Sequence, residues 1–382
     1  MRKLIWTLVI VTIVAIFGGR AWYLYQHRET SENVVKVGVL SFLTGQYAKM
    51  GQDMTNGIIL ATEEINTSPD YNGTQIQLVI EDGKGIAKDS VNAFNKILFH
   101  NVQALIAMGD NQVPPVAPLI IQNKLPTVVT SCYNNEPIKQ NKPEKYMYKN
   151  SYPLGKFSEW FGEYAAQKLN LKTISILPVK TFFGQESAEN FKNSFEKNGG
   201  KITDIEYYTT TQIDAKALVL KAISENPDAV FVTGYGQGYI TIINTLRELR
   251  YGGVILADSG VTNPEFVDSM KLFDGIIFFK QPPLQSNKSE TSKHFQEEYF
   301  ARFKEKPSDF AAFGYSSMIL LGEAIKNSDL SPSGINASLN KISSFDTVLG
   351  KLRLYSDGSC SLPFMIGKMK SDGTYDIMET KE

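Results

Sequence analysis

Beyond the first thirty residues, short apolar runs alternate along the chain with segments of helical periodicity. The run at 34–40, VVKVGVL, predicts a β-strand, because continuous apolar runs suit strands that are buried on both faces of a parallel sheet. Within 47–65, Met50, Met54 and Ile58 recur at helical spacing and predict a helix with one face on that sheet. The same pattern predicts strands at 76–80, 104–107 and 125–129, and helices at 87–100 and from residue 114.

A second series of the same kind begins after Pro153. It predicts helices at 154–169, 186–198 and 240–250, and strands at 173–177, 229–233, 254–257 and 276–279. Beyond Pro283 the pattern turns helical again, at 294–303 and 310–326. Alternating strands and helices are typical of parallel sheets covered by helices, so the sequence predicts two α/β units. Helices that follow a finished unit can pack on the first unit when the chain returns to it.

Length and composition agree with two globular domains. The 382 residues exceed what one ordinary domain needs, and 42% are hydrophobic against 21% charged. Lys plus Arg number 39 against 40 for Asp plus Glu, so no basic surplus exists for a nucleic-acid groove. The two cysteines, Cys132 and Cys360, form no Cys-x-x-Cys pair, and the three histidines form no metal-spaced cluster. We therefore expect neither nucleic-acid binding nor a metal site.

The amino terminus has the pattern of a membrane segment. Arg2 and Lys3 precede an uncharged run from residue 4 to residue 19, which is followed by the aromatic Trp22 and its neighbours. Cations before an apolar run and aromatic residues after it favour membrane targeting. We expect residues 1–28 to be a membrane anchor or a signal peptide and residues 29–33 to be a linker. An uncleaved anchor over residues 4–25 is preferred, because Gly18 and Gly19 only approximate a cleavage site; a cleaved signal remains the alternative.

Several segments share their order and spacing with a known family. They are 37–51 (VGVLSFLTGQYAKMG), 125–128 (LPTV), 182–184 (FFG), 226–230 (NPDAV) and 309–315 (DFAAFGY). Together they resemble the type I periplasmic binding proteins, and in particular the leucine-binding-protein-like members that serve branched-chain amino acid transporters. The resemblance covers residues 34–380.

This resemblance implies an α/β fold of two Rossmann-like lobes with parallel-sheet cores, joined by a hinge of three crossovers. The crossovers would lie near 150–153, 279–283 and 349–352. The N-terminal lobe would comprise residues 34–151 plus 281–349. The C-terminal lobe would comprise residues 152–280 plus 350–382.

The resemblance also implies a function. The chain would be an extracytoplasmic solute-binding protein, not an enzyme, that captures a small polar ligand by hinge closure and delivers it to an ABC-type permease. An amino acid or a related amide or carboxylate is the expected ligand, with no cofactor, and we expect a monomer. The alternative is a membrane-tethered ligand-sensing receptor domain that signals through a partner chain.

Candidate ligand contacts lie in the loops at the carboxyl ends of the strands, where parallel sheets bind ligands. They are Thr44, Asp110, Asn111, Tyr133, Asn134, Phe183, Tyr235, Asp258 and Ser259. Aromatic side chains among them would enclose a ligand, although Phe183 and Tyr235 could instead pack within their lobe. Asp258 is a candidate partner for a ligand ammonium, but the resemblance puts a serine at the usual position. Asp110 could contact ligand or cap a helix.

One segment superficially imitates a nucleotide site. Residues 234–238, GYGQG, follow a predicted strand, and Asp258 comes about twenty residues later. The spacing is G-x-G-x-G instead of G-x-G-x-x-G, so nucleotide binding is not expected. The sequence also contains no G-x-S-x-G elbow, P-loop or H-E-x-x-H motif, which argues against catalysis.

Overall fold

The structure is a computed structural model that describes residues 33–45, 47–262 and 264–381. Within these ranges no helix is both long enough and apolar enough to cross a bilayer. The predicted anchor or signal peptide at 1–28, and residues 29–32 of the predicted linker, lie outside the described residues.

The first lobe is built on a five-stranded parallel sheet. Its strands are β1 (Val34–Ser41), β2 (Gln75–Asp82), β3 (Ala104–Met108), β4 (Thr127–Thr130) and β5 (Met147–Asn150), in the order β2-β1-β3-β4-β5. Its first helices are α1 (Ala48–Thr67), α2 (Ala87–Phe99), α3 (Val113–Gln122) and the short α4 (Glu136–Lys139). A 3₁₀ turn, Pro69–Tyr71, follows α1. Val39 packs into the apolar cluster on one face of the sheet and Leu40 into the cluster on the other. Burial on both faces explains why β1 is an almost unbroken apolar run.

The second lobe contains a larger sheet. Its parallel strands are β6 (Thr173–Pro178), β7 (Lys201–Ile205), β8 (Ala229–Thr233), β9 (Val254–Ala257) and β10 (Ile277–Lys280). Its helices are α5 (Leu154–Gln167), α6 (Phe182–Lys197), α7 (Lys216–Ala222) and α8 (Gln237–Glu248), with 3₁₀ segments at Ser259–Thr262 and Pro264–Phe273. Two later strands extend this sheet beyond β10.

After β10 and a 3₁₀ turn at Leu284–Ser286, the chain returns to the first lobe. The returning elements are α9 (Glu290–Phe303), α10 (Asp309–Lys326), α11 (Pro332–Lys341) and the small antiparallel sheet of β11 (Ser344–Thr347), β12 (Gly350–Leu354) and β13 (Cys360–Ser361). The backbones of α1 and α10 touch, since a Cβ at Gly57 would lie 2.0 Å from the Ala311 carbonyl oxygen. The late helices therefore pack on the first lobe.

The third passage between the lobes differs from the expected position. Leu352, Leu354 and Cys360 are buried in the first-lobe cluster, and the Lys149 N–H donates to the Gly358 carbonyl oxygen at 2.8 Å. Residues 350–361 therefore pack with the first lobe, although a lobe boundary was expected between 349 and 350. The chain enters the second sheet as β14 (Phe364–Met369) and ends as β15 (Tyr375–Lys381), both antiparallel, giving the order β15-β14-β10-β9-β8-β6-β7.

Candidate functional site

A cleft lies where the strand ends of the two lobes meet. It contains a small cavity of about 20 Å³, close to the space that one water needs. The lining residues come from both lobes and from the passages between them: Tyr133, Tyr152, Leu154, Phe157, Phe183, Asp258, Ser259, Phe279 and Lys280. Four of the nine predicted contacts are thus brought to one cavity. They are Tyr133, Phe183, Asp258 and Ser259.

Aromatic rings from the two lobes touch across this cleft. Tyr133, in the loop after β4, meets Phe183 of α6 edge to face, with ring centroids 5.4 Å apart. On its other side the Tyr133 ring stacks at 5.9 Å on Tyr152, which lies in the first passage between the lobes. Phe183 in turn contacts Tyr235 after β8 at 6.0 Å. The rings fill the cleft, so a solute larger than water requires the lobes to open first.

Asp110 holds the Tyr133 loop in place. It follows β3, and its Oδ1 accepts the Asn134 N–H at 2.7 Å and the Cys132 thiol at 3.4 Å. Burial raises the pKa of the Asp110 carboxyl, while the bond from Asn134 opposes that rise. The carboxylate thus joins the loops after β3 and β4, and in this way it positions the Tyr133 ring.

Asp258 has a comparable role in the second lobe. Its carboxylate is 1% exposed and accepts the Thr233 hydroxyl at 2.7 Å, the Gly234 N–H at 2.6 Å and the Gly260 N–H at 2.9 Å. Burial raises its pKa to about 6, and these donors oppose the rise. Three donors from its own lobe already bind the carboxylate. The expected partner of a ligand ammonium therefore binds the loops after β8 and β9 to each other.

The glycines of the GYGQG segment serve packing. Gly234 has φ +145°, and a Cβ there would lie 2.4 Å from the Tyr208 hydroxyl. The Gly234 N–H also donates to Asp258 at 2.6 Å, so the segment forms a turn that packs within its own lobe.

The remaining predicted contacts lie away from the cavity lining. The Thr44 hydroxyl donates to Asp82 at the end of β2, and Asn111 is exposed. Asn134 turns its side-chain oxygen to the Glu136 N–H at 2.8 Å. Tyr235 reaches the site through its contact with Phe183.

Five lining residues were not predicted: Tyr152, Leu154, Phe157, Phe279 and Lys280. They lie in or beside the passages between the lobes. Lys280 is the cation of the set, with its Nζ 3.4 Å from the Thr262 hydroxyl and 3.9 Å from the Asp309 carboxylate of the first lobe. The signal that could have found them is position, because chain segments that cross between two lobes must border the cleft.

Comparison with known proteins places this geometry in a family. A family model described as periplasmic binding protein matches residues 34–374. The chain belongs to the periplasmic binding protein family. It is similar to the Leu/Ile/Val-binding protein homolog 1 of Brucella suis, with 22% identity over 99% of this chain and all of that protein. A match to homolog 3 of Brucella melitensis, 24% identical, spans 61% of this chain and 63% of that protein.

Solved structures share the two-lobed architecture. The leucine-binding protein LivK of Thermotoga maritima superposes with a TM-score of 0.79 at 22% identity, over 91% of this chain and 98% of that one. A solute-binding protein of an ABC transporter from R. palustris, in complex with benzoate, gives 0.76 at 20% identity over 91% and 96%. At these identities the likeness establishes the fold.

Membership in the periplasmic binding protein family has direct consequences. The chain is an extracytoplasmic solute-binding protein, and it is not an enzyme. The leucine-binding-protein-like resemblance and the α/β fold of two lobes are confirmed. The receptor alternative is not favoured, because the relatives named here are binding proteins.

Proposed function

We propose that the protein captures a small solute between Tyr133 of the first lobe and Phe183 of the second, and delivers it to an ABC-type permease. The observation that carries this proposal is the ring contact across the cleft, since each ring is supplied by a different lobe. A solute entering the open cleft would be enclosed by both rings when the lobes close. The free energy of binding then stabilises the closed state of the lobes, and no covalent bond of the solute changes.

A hydrophobic amino acid is the first candidate solute. The names of the relatives support it, since they are Leu/Ile/Val-binding and leucine-binding proteins. A desolvated ammonium needs a carboxylate or several oxygens. Asp110 is the carboxylate that we assign to it, because Asp110 holds two donors through one oxygen, Oδ1, whereas both Asp258 oxygens accept hydrogen bonds.

An aromatic carboxylate is the second candidate. Five of the nine lining residues carry aromatic rings, and Lys280 is the cation beside them. The planar ring of the ligand would stack between aromatic side chains, and the Lys280 ammonium would pair with the ligand carboxylate. The benzoate-bound relative supports this chemistry.

A ligand panel separates these candidates. The full chain, purified in detergent, would be heated with leucine, isoleucine, valine, benzoate or 4-hydroxybenzoate, and with a wider set of amino acids, amides, carboxylates and sugars. Hits would be titrated by calorimetry. A ligand of the folded state raises the melting temperature by mass action. Saturable binding of an aliphatic amino acid supports the first candidate, and binding of an aromatic acid the second. Absence of binding across amino acids, amides, carboxylates and sugars would refute the proposal.

We further expect a monomer that is anchored by its amino-terminal segment.

A further inference from the structure

A second polar cluster joins the lobes outside the solute cavity. At its centre is Lys149 of β5, which is 1% exposed. Its Nζ donates to the Tyr133 carbonyl oxygen at 3.1 Å and to the Asn135 side-chain oxygen at 2.7 Å. Both partners are neutral oxygens. The first lobe therefore buries a cation whose hydrogen bonds fix the loop that carries Tyr133.

Asn135 connects Lys149 to the second lobe. With its oxygen on Lys149, the same amide donates through Nδ2 to Glu186 Oε1 of α6 at 3.2 Å. Asn135 and Glu186 belong to different lobes, so this hydrogen bond exists only while the lobes are closed. Lys149, Asn135 and Glu186 thus form a chain of two hydrogen bonds across the cleft.

The burial of Glu186 disfavours its negative charge. Its Oε2 is buried without a hydrogen-bond partner. The charged groups that face it are Lys149 of β5, Asp110 after β3 and Lys139 of α4. On the α5 side, Gly155 approaches it and brings no charge, while Lys156 is exposed and pairs with Glu159. A neutral carboxyl group fits this setting better than a carboxylate.

We propose that Asn135 and Glu186 form a closing contact between the lobes, and that closing is coupled to uptake of a proton because it buries Glu186, which then favours its neutral carboxylic acid form. The contact positions the closed state and touches no solute. This inference deepens the proposed function, on which it rests, because it regulates the same closure.

The pH dependence follows from the two states of the cleft. Burial raises the pKa of Glu186 in the closed state to about 7, from an ordinary value of 4.5. Lys149, Lys139 and the hydrogen bond from Asn135 oppose this rise, and Asp110 adds to it. In the open state the side chain meets solvent and regains its ordinary pKa. Closing therefore takes up a proton. The contribution of Glu186 to closing is fully present below pH 4.5 and is lost as the pH rises through about 7. The closing equilibrium should change on the order of 100-fold across that window.

The test measures closure without any solute. Fluorescence energy transfer between dyes at Lys88→Cys of α2 and Asn193→Cys of α6, both exposed, reports the separation of the lobes in the full chain. The native cysteines are buried. Transfer is recorded from pH 5 to pH 8 in that background, and in combination with Glu186→Gln, Asn135→Ala or Glu189→Gln. Glu189 is exposed on the same helix, so its variant is the charge-matched control.

We expect transfer in the parent to rise as the pH falls, Glu186→Gln to remove that dependence, and Glu189→Gln to keep it. Asn135→Ala should lower transfer throughout. The inference is overturned if Glu186→Gln titrates like the parent, or if the parent shows no pH dependence. Because no solute is present, these outcomes are independent of the ligand panel, whose failure would instead refute solute capture.

Discussion

Truncation of Phe183 offers the sharpest test of the cleft. Phe183 and Phe182 are adjacent at the start of α6, yet Phe182 is 37% exposed whereas Phe183 lines the cavity. Phe183→Ala removes the ring that meets Tyr133 at 5.4 Å and Tyr235 at 6.0 Å. Each aromatic pair contributes about 0.5–1.5 kcal/mol beyond buried area, and full burial of a phenylalanine contributes about 1.5–3 kcal/mol. Phe182→Ala is the matched control.

In calorimetry with the solute identified by the panel, Phe183→Ala should weaken binding roughly 10- to 100-fold, which corresponds to about 1.4–2.8 kcal/mol. Phe182→Ala should change binding less than about two-fold, since its ring does not line the cavity. Circular dichroism would check that both variants keep the fold. If Phe183→Ala bound the solute as tightly as the parent, or if both variants lost affinity equally, the ring contact would not be the binding site.

Three further outcomes are expected. Gly234→Ala places a Cβ 2.4 Å from the Tyr208 hydroxyl and should lower the free energy of unfolding, measured in urea, by about 2 kcal/mol or more. The control Gly252→Ala, which has open space around it, should not lower it. Equal stability of the two variants would contradict this packing. Because the pKa of Asp258 is raised to about 6, its contribution to the free energy of unfolding is present below pH 4 and is lost as the pH rises through 6. Relative to Asp258→Asn, the parent should lose roughly 2–3 kcal/mol of that free energy between pH 4 and pH 7. Parallel stability profiles of the two proteins would refute this contribution. The full-length chain should sediment with membranes and resist alkaline extraction through residues 4–25, and a soluble species starting near residue 20 would show a cleaved signal.

The sequence predicted the central strands well but missed an edge strand of each large sheet. β1, β3 and β8 are apolar runs buried on both faces, so composition alone marks them. β5 (MYKN) and β7 (KITDI) carry charged residues and were missed. β5 also meets a segment from far along the chain, since the Lys149 N–H donates to the Gly358 carbonyl oxygen. No local pattern contains that information.

The candidate site was located in part, for a similar reason. Loop positions after parallel strands follow from fold topology, which led to Tyr133 and Phe183. The use of each side chain depends on partners from other loops. Asp258 was expected to contact ligand, but Gly260 and the backbone at Gly234 occupy its oxygens. Lys280 was overlooked, because the cleft border formed by the crossover segments exists only after folding.

The most direct test of solute capture is closure itself, measured in the Lys88→Cys, Asn193→Cys chain at fixed pH. Titration with the solute that binds in calorimetry should raise the energy transfer between the lobes, and should saturate with the same midpoint as the heat of binding. Circular dichroism should stay constant, because the lobes move as units. A solute that binds at full stoichiometry and leaves the transfer unchanged would contradict the proposal that this cleft captures its ligand by closing around it.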